Sequence, residues 1–350
     1  MSGSTTELNL ATAVDTDDNA DYLTLSLANS LRTVDALFNN VTGHNHGGAH
    51  QGGAIAPSAI PGGSITNAML GADVARDNLL TNGGFEIWQR GAGPFTASGS
   101  WSADRWMVAP VGTMSVSRDT ANAAQSGGTC AAIVATGGPT NLLVSYLIPN
   151  TTEGQEFRGR TYSLSARVKC SVANGCRLSL FDSTGATALG AYHTGGGAYE
   201  TLTVTGTAGA SASQFQARVV FDVAGTYYVD NAMLVVGSQA ANYVPMHPAD
   251  DFARCLRYYE VVGALQNEIV FTFYGGAGIT TGTLFGFKAR KAITPTFTKN
   301  ATWLVSNCGQ PIILSGSVDT VSLAVLVTAT GTTSYNNNIA GANVVMEANP

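Results

Sequence analysis

Apolar and polar residues alternate along much of the chain from residue 79 onward. In Tyr162, Leu164, Ala166 and Val168 the apolar positions fall two apart, with Ser163, Ser165 and Arg167 between them. A period of two puts each row on one face of a strand. Strand-like segments recur at 113–118, 131–135, 142–148, 161–169, 177–181, 199–205, 214–220 and 226–236. Turn-forming phrases such as SGG, TGGP, ANG, STG and AGASAS separate them. Short strands between such turns predict an antiparallel sandwich over 79–247. A second series at 269–274, 283–288, 296–298, 302–305, 312–314, 318–328 and 343–346 predicts a smaller β-sandwich within 248–350. Between the two, Asp250 to Glu260 reads DDFARCLRYYE, a charged, helix-like joint.

Before residue 79 the pattern changes. Leu27, Leu31, Val34, Phe38 and Val41 are spaced alternately by four and three residues, the a/d seam of a coiled coil. About three heptads make a helix too short to stand alone in water. No neighbouring segment offers a comparable apolar face, so the seam predicts self-association; packing on its own domain is the alternative. His44 and His46 follow at once, two apart and flanked by glycines, with His50 just beyond. One chain offers two imidazoles on one face of an extended strand. Three chains about an axis would offer six, an octahedral site for a transition metal; a solvated polar turn is the plainer reading. Residues 47–78 are rich in glycine and small residues, with isolated Ile55, Ile60 and Ile65, and read as a linker.

Composition narrows the function classes. Of 350 residues 45% are apolar and only 11% charged, with 41 glycines, which suits many short strands better than a helical enzyme. A net charge of −6 argues against nucleic-acid or anionic-membrane partners. No apolar run reaches the roughly 18 residues of a membrane span, so no membrane insertion is expected. The first residues lack a basic flank followed by an apolar stretch, so no secretory signal is expected. Cys130, Cys170, Cys176, Cys255 and Cys308 are odd in number and scattered, which favours free buried thiols, although Cys170 and Cys176 flank a turn-like SVANG. No nucleophile elbow, phosphate loop, zinc motif or Cys-x-x-Cys occurs, and Asp182 and Asp222 cannot be placed together from sequence. The chain is expected not to be an enzyme.

Several phrases carry a family resemblance. The stretch from Asn78 to Trp106 holds Trp88, Trp101 and Trp106 and includes Asn82-Gly83-Gly84-Phe85-Glu86. Tyr227 to Gly237 reads YYVDNAMLVVG; Arg254 to Tyr259 reads RCLRYY; Ile60 to Leu70 reads IPGGSITNAML. Together and in this order they resemble bacteriophage tail-fibre and receptor-binding structural proteins with a carbohydrate-binding-module-like jelly roll. The resemblance implies a mainly β homotrimer: 1–46 a virion-attachment tail and trimeric helix, 47–78 an intertwined linker, 79–247 a jelly roll, and 248–350 a distal tip domain. It implies attachment to other tail or baseplate proteins through the N-terminus, a host cell-surface glycan as receptor, and a place in the virion tail fibre. A purely structural collar, neck or head-decoration fibre is the alternative, and a secreted monomeric carbohydrate-binding module a second. The resemblance implies iron or another transition metal at His44 and His46 on the trimer axis. It also implies a structural calcium at Glu86 and Asp230, with Asn231 standing where a second Asp is usual. Trp88 and Trp106 are expected in the core, with Trp101 undetermined. Tyr146, Tyr192, His193, Tyr199 and Tyr227 are the aromatic candidates for stacking on sugar. Tyr192 and Tyr199, with Tyr335, Asn336 and Asn337 on the distal domain, are the expected receptor contacts.

Overall fold

The computed structural model describes residues 3–4, 11–12, 76–137, 140–147, 157–185 and 187–349. The a/d seam, His44, His46 and the linker up to residue 75 lie outside the described residues. The chain divides into two units, Met1–Thr66 and Asn67–Pro350. In the first, β1 (Gly3–Ser4) and β2 (Ala11–Thr12) pair antiparallel.

The second unit is built from strands, as the alternation predicts. Its first ten are β3 (Met107–Ala109), β4 (Thr113–Asp119), β5 (Cys130–Gly137), β6 (Asn141–Leu147), β7 (Thr161–Cys170), β8 (Cys176–Asp182), β9 (Thr187–Tyr192), β10 (Tyr199–Thr207), β11 (Phe215–Phe221) and β12 (Gly225–Val236). They form two five-stranded antiparallel sheets, ordered β10-β7-β12-β5-β4 and β3-β6-β11-β8-β9. The inward row of β7, Tyr162, Leu164, Ala166 and Val168, meets Leu178, Leu180, Ala217 and Val219 from the other sheet in one core. The result is a jelly-roll-type sandwich.

The tryptophan-rich stretch fills this core without forming its first strand. Phe85 is fully buried and stacks on Trp106, with ring centroids 4.6 Å apart. Trp88 is also buried, as expected. The backbone, however, runs in turns up to β3, because Asn82, Phe85 and Arg105 have φ of 55°, 55° and 71°. A left-handed phenylalanine is costly. Here both Trp88 Nε1 and Thr129 Oγ1 donate to the Phe85 carbonyl, each at 2.6 Å, and hold the turn in place.

The helix-like joint is real but shorter than its charge pattern suggests. The helix α1 (Pro248–Leu256) starts with proline, carries Asp250 and Asp251 in its first turn and Arg254 in its last, all favourable to the helix dipole. Asp251 Oδ1 also accepts the buried N–H of Asn82 at 2.8 Å, which docks the helix on the tryptophan-rich stretch. Tyr259 already belongs to β13 (Tyr259–Val262), since the residues YEVV favour a strand and find a partner there.

The distal region adds β14 (Val270–Gly275), β15 (Thr280–Gly286), β16 (Thr296–Lys299), β17 (Leu304–Ser306), β18 (Ile312–Gly316), β19 (Thr320–Leu326), β20 (Gly331–Asn336) and β21 (Val344–Glu347). It makes three three-stranded sheets, β13-β21-β16, β14-β20-β17 and β15-β19-β18. Each covers only part of a core of Trp303, Leu323, Val325, Tyr335, Val344 and Met346.

Polar side chains tie the distal region to the jelly roll. Arg90 donates to Asp104 at 3.1 Å and to both oxygens of Glu347 at 2.8 Å, and its guanidinium lies 3.8 Å over the Tyr259 ring. Arg105 stacks 3.7 Å over Tyr258 and donates to Asn349. Behind them the buried Lys291 meets the buried Glu260 at 2.5 Å and also donates to the Leu256 carbonyl. Burial favours the neutral amine and lowers the Lys291 pKa, while the Glu260 partner opposes that shift.

Candidate functional site

Strands β6, β8, β9 and β11 turn one row inward and the other outward. The register aligns the outward rows: Tyr146 opposite Gln216, Gln216 opposite Phe181, Val144 opposite Arg218, Arg218 opposite Ser179, and Val220 opposite Arg177, which pairs with Tyr192 of β9. Trp101 joins this face through its bridge to Met107, with its ring 6.1 Å from that of Tyr146. Four aromatic side chains, two guanidinium groups and an amide thus line one sheet face. Tyr146, Phe181, Tyr192 and Trp101 are all partly exposed, while Gln216, Ser179 and Val144 form a buried floor.

Contacts within the face hold these groups in fixed orientations. The Arg218 guanidinium lies on Phe181 at 3.6 Å, and its Nε donates to Gln216 Oε1 at 2.6 Å. Arg177 lies 4.5 Å over the Tyr192 ring and 3.3 Å from Asp222 Oδ2. Tyr192 donates its phenolic proton to the same Asp222 oxygen at 2.8 Å. That hydrogen bond keeps the phenol protonated and holds its pKa above the ordinary value. Burial raises the Tyr146 pKa as well, against the pull of Arg218. Flat rings next to fixed planar donors and a carboxylate acceptor can bind a polyhydroxylated ring, stacking its C–H face and hydrogen-bonding its edge.

The other sequence candidates are dispersed. Tyr199 lies in the opposite sheet, where its hydroxyl donates to the Asn122 carbonyl at 2.5 Å and Arg167 sits 5.0 Å over its ring. Tyr192 and Tyr199 therefore do not share a surface. Tyr227 and His193 are fully buried; His193 Nε2 meets the Val168 carbonyl and Nδ1 accepts from Gly195 N–H. Tyr335 is 0% exposed inside the distal core, and Asn337 at 1% is spent on Ile269 N–H and the carbonyls of Gly263 and Leu265. Neither side chain is accessible to a receptor in this structure. Asn336 ends β20, and its Oδ1 accepts from Asn338 N–H. All five cysteines are free and buried, so Cys170 and Cys176 form no bridge.

Glu86 and Asp230 come close enough to influence each other across the 124–129 turn. Asp230 is 3% exposed, and burial pushes its pKa up to about 6, with the Glu86 charge adding to the rise. Its oxygens accept from Ala124 N–H at 2.8 Å and Asn231 N–H at 2.7 Å. Glu86 accepts from Thr129 N–H and from the Thr129 hydroxyl. Each carboxylate oxygen keeps a lone pair beyond these bonds. Calcium would take both carboxylates as hard oxygen ligands. Among the described residues no group of three or more acidic, histidine or cysteine side chains converges, so carbonyls would have to complete the shell.

Sequence reasoning alone singled out Tyr146 and Tyr192 but passed over Arg177, Phe181, Gln216 and Arg218. The signal was present: within 177–181 and 214–220 the same alternation that buries Leu178, Leu180, Ala217 and Val219 turns these residues outward.

No family model matches the sequence, and no curated protein matches it. Among solved structures, the enzymatically active domain of bacteriophage CBA120 tailspike protein 4 is similar over 46% of this chain and 21% of its own, at 16% identity and a TM-score of 0.31. The CBM22-1 xylan-binding domain from Paenibacillus barcinonensis Xyn10C is similar over 43% of this chain and 98% of its own, at 15% identity and a TM-score of 0.32. TmCBM61, solved with β-1,4-galactotriose, is similar over 46% of this chain and 100% of its own, at 17% identity and a TM-score of 0.31.

Proposed function

We propose that this protein is a fibre-type, non-catalytic glycan binder. Its jelly roll presents the sugar site on the outer face of β6, β8, β9 and β11, and its N-terminal residues join copies of the chain and attach them to a larger particle. The observation that carries the reading is the Trp101–Tyr146–Gln216–Arg218–Phe181–Tyr192 face, where aromatic rings stand beside oriented donors and the Asp222 acceptor. The order of the sequence motifs supports placing that module on a phage tail fibre and its ligand on a host surface. Several copies would raise a modest affinity per site through multivalency.

The test is a glycan array probed with the full chain, followed by titration of the best ligand. Arg218→Ala and Tyr192→Ala each weaken binding by roughly tenfold or more, equivalent to about 1.4 kcal/mol. Tyr199→Ala, on the opposite sheet, leaves it unchanged. An array with no bound glycan, or equal loss from all three variants, overturns the reading.

The calcium proposal rests on Glu86 and Asp230, which would anchor the ion with backbone carbonyls and tie the 124–129 turn to β12. Calcium binding then raises the melting temperature at pH 7.5, chelation reverses the rise, and Asp230→Asn abolishes the response. A melting temperature that ignores calcium removes the site. His44 and His46 are proposed as trimer-axis ligands of iron or a related metal; elemental analysis of wild type against His44→Ala decides that directly.

A further inference from the structure

The outward face of the sheet β15-β19-β18 is unlike the outward face of the jelly-roll sheet that holds β7 and β10. There the outward residues include Arg167, Lys169, Thr201, Thr203 and Thr205, as water requires. On the distal sheet the inward row, Leu323, Val325 and Ile313, already fills the core. Yet the other row exposes Leu284 at 63%, Ile312 at 56%, Leu314 at 62% and Leu326 at 52%. Small residues lie among them: Gly282 opposite Ala324, and Ala324 opposite Ile312. None of the three strands carries an acidic, basic or histidine residue. A leucine-rich, uncharged sheet face of this kind marks an interaction surface.

We infer that this face packs against the same region of neighbouring copies of this chain. The inference rests on the self-association reading of the proposed function and assigns it a second surface. Two observations favour a copy over another partner. In a contact between identical faces related by symmetry, residues near the axis meet their own kind, so a charge there would face its like; a face without charge avoids that repulsion. The same sequence also holds the Leu27–Leu31–Val34–Phe38–Val41 seam, whose spacing predicts that it joins copies elsewhere along the chain. Once joined, the distal faces meet at a high effective concentration, so a modest apolar contact suffices.

The native cysteines make the test clean, because all five are buried. Leu314→Cys in the full chain introduces one thiol on the face, and Val111→Cys, at a position 71% exposed on the jelly roll, serves as the accessible control. The variants are sized by light scattering, and their thiols are titrated with a maleimide. The expected result is a multimer in which the thiol introduced by Leu314→Cys is labelled roughly tenfold or more slowly than the control, as in a solvent-excluded interface core. A multimer whose two introduced thiols react alike overturns this inference and leaves self-association through the seam standing. A monomer overturns both. Slow labelling in a monomer also overturns it, since the cover would then belong to the same chain.

Discussion

Replacing Trp106 by alanine is expected to destabilise the jelly roll by about 3–5 kcal/mol, the cost of emptying a buried tryptophan site. The side chain is 1% exposed and stacked on Phe85. Its Nε1 donates to the Asn82 carbonyl at 3.0 Å, and its own carbonyl accepts from both Ser102 N–H and the Ser102 hydroxyl. Asn82 in turn binds Asp251 of α1 and, through its amide, the carbonyls of Ile87 and Asp104. The loss therefore reaches beyond one cavity to the docking of the helix. Urea denaturation measures it as a lower midpoint with little change in slope. Trp101→Ala, on the half-exposed sheet face, serves as the comparison and costs far less. If the two variants lose equal stability, the tryptophan-rich stretch is not the keystone of this core.

Arg90→Ala is the second large effect, expected at about 3–5 kcal/mol, because it strips the cation from a carboxylate, Asp104, that is 1% exposed. Asp104 keeps only Gln89 as a side-chain donor, and Glu347 loses its bidentate partner. The pH dependence identifies the cause. Burial pushes the Asp104 pKa up to about 6, although Arg90 pulls the other way. Between the ordinary value of 3.8 and about 6 the folded state binds more protons than the unfolded state. Stability from this group is therefore fully present below the lower value and is lost as pH rises through the upper one. Removing Arg90 lifts the folded pKa further, so the Arg90→Ala penalty is largest near pH 8 and shrinks toward pH 5. A penalty equal at both pH values would show that Arg90 acts through packing on Tyr259 rather than through Asp104.

The opposite-sheet placement of Tyr192 and Tyr199 matters for how binding data are read. A variant at Tyr199 disturbs the bond to Asn122 and the ring under Arg167, both remote in register from Arg218. It leaves the sugar face itself intact and so serves as the control for contact with sugar. The distal aromatics behave similarly. Tyr335 lies against Phe271 and Trp303 at 5.3 and 6.2 Å, so its removal would loosen the distal core.

The sequence by itself determined the fold class, because a two-residue period over 161–169 or 214–220 leaves a strand only one way to bury its apolar row. It determined a helix-like joint, where Asp250, Asp251 and Arg254 each suit their place in α1. It placed Trp88, Trp106 and Phe85 next to the first β-structure, and it held the outward row of Arg177, Phe181, Gln216 and Arg218 in plain view. Only the tertiary structure decided which rows meet. Period two tells which residues share a face of one strand, but strand order depends on long-range pairing that no local pattern encodes. That pairing set β11 between β6 and β8 and so joined Tyr146, Arg218 and Tyr192. It also sent Tyr199 to the other sheet, and it turned Tyr335 inward where a receptor contact was expected. The irregular path of residues 78–106 was equally hidden, since the left-handed turns at Asn82 and Phe85 are held by bonds to Thr129, Asp251 and Trp106, partners that come together only when the chain is folded.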